Sequence, residues 1–207
     1  MCHVPYDEDG VPFPAQLSAC TICRQGKVPG VLFATIEPPD SLPLQGKGCL
    51  IQARVCRHKK EWRGELNAKD ISDTLPFLEY ELHHQLLNKL KLNGMNALFG
   101  LQSRVHVGYN ILVAVATATA VNVPSLPPAA VPTLVCKTTS GAEEETKLAK
   151  LQAKINDIAR RNATVHGVDV DRKRFFYGND LSSVRYVTHS YATMHLGGGG
   201  KGHYRTF

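Results

Sequence analysis

Three things are missing from this 207-residue sequence, and each narrows what it can be. It has no concentrated block of charge. Its 24 basic residues against 18 acidic ones give a net charge of +6, and no long segment departs far from neutrality. A dedicated DNA-binding domain crowds basic residues onto one face, so nucleic acid is not an expected partner. The sign excludes a strongly acidic tail protein. Catalytic signatures are missing too: there is no nucleophile elbow, P-loop, dinucleotide fingerprint or kinase motif. Nor does the start resemble a secretory signal, because Asp7, Glu8 and Asp9 stand where basic residues would and no apolar stretch follows. The composition, 43% apolar and 20% charged, is that of an ordinary globular chain.

Charge is also missing from Ile111 to Cys136, a stretch long enough to cross a bilayer. Pro124, Pro127, Pro128 and Pro132 occupy its second half. Proline lacks the N–H and clashes with the preceding turn, so the stretch reads as a strand followed by a linker. Six cysteines are present, at 2, 20, 23, 49, 56 and 136. An even count suits a secreted disulfide framework, but without a signal a reducing cytoplasm and free thiols are expected. The Asn162-Ala163-Thr164 sequon is then idle.

What is present organises into an α+β chain. Residues 1–14 read as an N-terminal loop and 15–123 as an α+β domain. Within it, 15–23 and 31–37 have short strand character, 37–48 is a turn-rich connection, and Cys49 to Cys56 alternates with a period of two, as a half-buried strand does. The segment 73–93 predicts a helix. Leu78, Leu82, Leu86 and Leu90 make its stripe, Ser72 or Asp73 its cap, and Pro76 falls in its first turn, with Gly94 just beyond its end. Two strands follow, 95–110 and 111–123, joined at Gly108-Tyr109-Asn110. The second puts Leu112, Ala114, Ala116, Ala118 and Ala120 on one face and Val113, Val115, Thr117, Thr119 and Val121 on the other. The alanine side lets a helix approach closely, and this predicts the Leu stripe packed against it. The sheet is expected to be antiparallel or mixed, with one long helix on it. Residues 124–141 read as a Pro-rich linker. Residues 142–161 read as a second helix with Leu148, Leu151, Ile155 and Ile158 on one side, serving as a coiled-coil arm or docking on its own domain. Residues 162–207 read as a low-order tail with a short strand at 184–188.

The candidate chemistry is sparse. Cys20-Thr21-Ile22-Cys23 has the spacing of a zinc or redox pair. Cys49 and Cys56 could complete a zinc site, but alternation places them on opposite faces of one strand. Buried thiols are the preferred reading of the cysteines, and no catalytic, cofactor-binding or metal residue is assigned. The alternative is a zinc- or heavy-metal-binding module using Cys20 and Cys23. His83 and His84 near Glu79 and Glu81 lack the HExxH pattern and read as a solvated helix face. Asn96 reads as a turn or backbone-capping residue. Arg172-Lys173-Arg174 before Phe175-Phe176-Tyr177 reads as a solvated tail, and the four glycines from Gly197 carry no phosphate-loop context.

The stretches GCLIQARVC, LPFLEYELHHQLLNKLKLNGMNALFG, VGYNILVAVATATAV and LQAKINDIARRN resemble a family of cytosolic trafficking proteins that pair an N-terminal C2 domain with YbjQ-like modules. The resemblance runs from Gln16 to Asn162. Within it, the helix leading into Gly94-Met95-Asn96-Ala97-Leu98-Phe99-Gly100 is similar to the bacterial YbjQ-like pattern. It implies a β-α-β-β unit and a role in delivering vesicles carrying the insulin-regulated glucose transporter to the plasma membrane. The family's location is cytoplasmic, at vesicles and the cell cortex, and its calcium and phospholipid are bound through the C2 domain. Asp7, Glu8 and Asp9 cannot supply the six to eight oxygens of a calcium site. The expectation is therefore a fragment or short form that does not sense calcium: a non-catalytic scaffold with protein partners or self-association, and with weak or indirect membrane contact.

Overall fold

The computed structural model describes residues 1–4, 17–60, 63–135 and 142–168. Three short strands come first: β1 (Leu17–Ala19), β2 (Lys27–Pro29) and β3 (Leu32–Phe33). Then come β4 (Gln45–His58), α1 (Glu65–Leu92), β5 (Ala97–Val107), β6 (Ile111–Asn122) and α2 (Ala142–His166). β1 and β2 form an antiparallel hairpin, and the main sheet runs β3-β5-β6-β4. Its long strands are antiparallel, and β3 pairs parallel with β5. The mixed α+β class and the β-α-β-β unit are therefore as the sequence predicts. Among the described residues no helix is long and apolar enough to cross a membrane, and the uncharged stretch after Ile111 begins as β6.

The alanine face does what its small side chains permit. Leu78, Leu82, Leu86 and Leu90 share one core with Ala114, Ala116, Ala118 and Ala120, joined by Ile51, Ala53 and Val55 of β4. Each buried leucine contributes about 1.5–3 kcal/mol, so this contact dominates the body of the fold. Leu50, Gln52, Arg54 and Cys56 point the other way and are exposed, as the period of two requires.

α1 starts eight residues earlier than its leucine period shows. Its cap is Gly64 at φ 59°, with no side-chain cap, so Ser72 and Asp73 lie inside the helix. Glu65 to Ser72 propagate the helix without the leucine stripe, and Leu66 is exposed. Pro76 therefore sits in the helix interior. Its missing N–H would have served the carbonyl of Ser72, and both residues are exposed, which lowers the cost of the lost bond. The far end is as predicted. Gly94 takes φ 71°, Gly94 N–H donates to Lys91 O and Met95 N–H donates to Leu90 O, both at 3.1 Å. That is the Schellman closure.

α2 docks by a different face from the one its leucines suggest. Leu151 and Ile158 are exposed, whereas Ala159 and Ala163 are buried. A Cβ on Gly94 would lie 3.1 Å from that of Ala163, so the contact needs small residues on both sides. Asn162 donates from Nδ2 to Leu92 O at 3.1 Å, satisfying an orphan carbonyl at the α1 terminus. Gln152 accepts from Leu134 N–H at 2.8 Å and donates to Pro132 O at 3.1 Å, tying residues 132–134 to the helix. α2 runs to His166, five residues past the expected end. The predicted strand at 184–188, the Arg172–Arg174 cluster, the glycine run and most of the expected tail lie outside the described residues.

Candidate metal centre

A second core covers part of the sheet face opposite α1. It contains Cys20, Val28, Leu32, Leu42, Ala97, Phe99, Val121, Val123 and Leu126, with Cys2, Val4 and Cys23 packed against it. The hairpin and the chain's first residues lie on this side. Asn96 anchors the seam between β5 and the chain leaving β6. It is wholly buried, accepts from Val123 N–H at 2.8 Å, and donates to Val123 O and Pro127 O at 3.1 and 3.0 Å. That is the backbone-capping role its position suggests. Thr21 N–H donates to Ser125 O at 3.0 Å and Thr21 Oγ1 to Pro124 O, so residues 124–127 are fastened to both neighbours.

The Cys20-x-x-Cys23 pair sits at the turn between β1 and β2. Cys20 N–H donates to Gly26 O at 2.8 Å, and Arg24 N–H donates to Cys20 O at 2.9 Å. Arg24 takes the left-handed conformation at φ 59°, which costs a non-glycine residue of order 1–3 kcal/mol. The result is a tight knuckle that brings both sulfurs to one side. The N–H groups of Gly26 and Gln25 donate to the Cys23 sulfur and lower its thiol pKa to about 6. Cys2 and His3 come back onto this knuckle. Cys2 Sγ lies 3.0 Å from His3 Nδ1 and 4.0 Å from Cys20 Sγ, and Cys23 Sγ lies 3.7 Å from His3 Nδ1. Burial, then the neighbouring Cys23 and Cys20 sulfurs, push the Cys2 thiol pKa up. Gly26 makes room for the histidine, since a Cβ there would overlap the ring.

Among the described residues this is the group of three or more Cys, His, Asp or Glu side chains close enough to hold an ion, with its ligand atoms all within 4.8 Å of one another. The CxxC was visible in the sequence, but its companions were not. Cys49 and Cys56, the partners that spacing offered, lie elsewhere. Cys49 packs its sulfur 3.8 Å from that of Met95 and accepts from Asn93, and Cys56 is exposed on the outer face. The signal that could have found the true companions is the Cys2-His3 dipeptide, a second soft-ligand pair less than twenty residues upstream.

His83 and His84 do not assemble a site with Glu79 and Glu81. His83 Nδ1 donates to Glu79 O at 2.8 Å, and Glu81 pairs with Arg57. Burial and the nearby Lys91 ammonium hold the His84 imidazole below its usual range, against a smaller opposing effect of Glu81. A recess of about 300 Å³ between β4 and the ends of the helices is lined by Gln52, Lys89, Asn93 and Asn162 among others. It adjoins neither Asn96 nor His84.

Comparison with known proteins places these features. Residues 25–128 match the family model described as C2 domain-containing protein 5, YbjQ-like domain. C2 domain-containing protein 5 of Homo sapiens and of Xenopus tropicalis are each 49% identical over 168 residues, which is 81% of this chain and 17% of theirs. The Mus musculus protein is 48% identical over 167 residues. The chain thus spans about a sixth of the length of these relatives. A crystal structure from Pediococcus pentosaceus, of a protein of unknown function in the DUF74 family, aligns with a TM-score of 0.36 at 15% identity. That alignment covers 45% of this chain and 98% of the other.

Proposed function

The chain belongs to the YbjQ-like family of C2 domain-containing protein 5, and from that premise we propose that it is a non-catalytic, protein-binding module of a vesicle-trafficking protein. In this reading it acts in the delivery of glucose-transporter vesicles to the plasma membrane. Calcium-dependent phospholipid contact belongs to a C2 domain outside this chain, and this module supplies contact with protein partners in the cytoplasm, at vesicles and at the cell cortex.

The observation that supports the reading is the part of the main sheet's outer face that stays exposed among the described residues. Gln52, Arg54 and Cys56 of β4 lie in register with Thr117, Val115 and Val113 of β6. Gln102, Arg104 and His106 of β5 lie in register with the same three residues. The outer residues of β4 and β5 are exposed, and the central valines are half-buried. No aspartate or glutamate occurs in any of the three long strands, so Arg54 and Arg104 flank Val115 without a carboxylate on the sheet to neutralise them. A face with an apolar centre and basic residues that no strand carboxylate opposes suits an acidic protein surface. It repels a copy of itself face to face, so self-association would use the outer edge of β4.

Expression of the chain in insulin-responsive cells tests this. The chain competes with its full-length relative for partners, so arrival of the glucose transporter at the surface falls after insulin. The double variant Arg54→Glu, Arg104→Glu loses that effect while remaining folded. Transporter arrival unaffected by well-expressed, folded wild-type chain would refute the reading.

A further inference from the structure

We propose that Cys2, His3, Cys20 and Cys23 bind one structural zinc ion, which clamps the start of the chain to the β1–β2 hairpin on the sheet face opposite α1. The inference does not depend on the trafficking reading. Nor does the family match supply it, since the matched residues begin at 25 and all four ligands precede them.

Four lines of geometry converge. The donor set is three sulfurs and one imidazole, and soft thiolates with a histidine select zinc in closed, four-coordinate sites. The spacing fits: ligands 2.0–2.3 Å from a tetrahedral zinc lie roughly 3.3–3.8 Å from one another. Here three of the separations are 3.0, 3.7 and 4.0 Å, and no pair exceeds 4.8 Å. Small rotamer adjustments close the shell. The surroundings are also built for thiolates. Cys20 is fully buried, and the backbone N–H groups of Gln25 and Gly26 are aimed at the Cys23 sulfur, the outer-shell support that metal-bound sulfur uses. Finally, Gly26 leaves open the space that the His3 ring fills.

Such a fastening would reinforce the hairpin beyond its packing and the Thr21 hydrogen bonds. Its two strands have three residues each, and an isolated two-stranded hairpin is marginal in water. Zinc would join residues 2–3 to residues 20–23 by metal–ligand bonds, adding to the packing and the weak sulfur contacts that bring them together. The thiols that bind lose their protons to solvent, and the metal takes their place as the shared partner of four groups.

The test uses the full chain. After expression with added zinc and exhaustive desalting, metal analysis should return about one zinc per chain. The Cys20→Ser, Cys23→Ser double variant should fall to background, and Cys49→Ser, Cys56→Ser should keep its zinc. Alkylation of the wild-type chain reads the same site without any substitution. Cys56, which is exposed, should react with or without a chelator, whereas Cys2 and Cys23 should react only after chelation. Gly26→Ala removes no ligand but crowds His3, and should weaken zinc about tenfold or more in competition with a chelating dye. Background zinc in the wild type, zinc retained by the Cys20→Ser, Cys23→Ser variant, or alkylation of Cys2 and Cys23 at a rate indifferent to chelator would each overturn the proposal. Unchanged affinity in Gly26→Ala would remove His3 from the ligand set and overturn the four-coordinate site.

Discussion

Several buried or half-buried asparagines among the described residues serve the backbone. Asn96 is the clearest case, because three hydrogen bonds to Val123 and Pro127 consume both ends of its buried amide. Asn162 serves Leu92 O in the same way, and Asn122 donates to Gly94 O at 3.2 Å. Replacing Asn96 with alanine leaves a buried N–H and buried carbonyls with fewer partners. Each unsatisfied group costs about 1–3 kcal/mol, so Asn96→Ala should lower unfolding stability by about 2–4 kcal/mol in a urea titration, with little change in slope. At this scale the sequence was partly readable. Asn96 between two glycines announced a capping residue, and Gly94 announced a helix end. The role of Asn162 was hidden behind a sequon, because its partner is seventy residues away and no local pattern marks it.

At the scale of elements, period decided what could be foreseen. The alternation in β4 and β6 and the four-residue leucine recurrence in α1 each identified a buried face correctly, because burial of one face is what writes the pattern. Glu65 to Ser72 lack that period, so the first two turns of α1 were invisible and Pro76 was misplaced into a first turn. The same dependence on large apolar residues misjudged α2, whose leucines and isoleucines suggested a docking stripe while Ala159 and Ala163 make the contact. Small residues at close helix approaches leave little hydrophobic signal. The knuckle at Cys20–Cys23 was legible for its spacing, but not for Cys2 and His3, because spacing reports local geometry and cannot say which distant segment returns to it. The alanine face of β6 has a direct consequence. Ala116 is buried beneath the helix at the centre of the sheet, where added methylenes have no room. Ala116→Leu should destabilise by about 1–3 kcal/mol through overpacking, measured as a lowered urea midpoint. The same substitution at exposed Ser103, its partner in register on β5, should change the midpoint little.

The body formed by the described residues is a sheet with one long helix on one side and a small hairpin capping part of the other, and among those residues a basic strip of the sheet stays exposed. In the proposed function that division separates two roles: the helix side and the hairpin side hold the body together, and the remaining strip is the surface offered to a partner. A protein-binding module of the kind proposed differs from a membrane sensor in where lipid contact must come from. Vesicle flotation distinguishes these most directly. The purified chain is mixed with vesicles isolated from insulin-responsive cells, or with protein-free liposomes of matched lipid composition, each with calcium or with a chelator of calcium. The account predicts that the chain floats with the native vesicles equally in both conditions, that Arg54→Glu, Arg104→Glu abolishes this, and that protein-free liposomes carry little of it. Calcium-stimulated flotation on the protein-free liposomes would contradict the account, because lipid sensing would then reside in this chain.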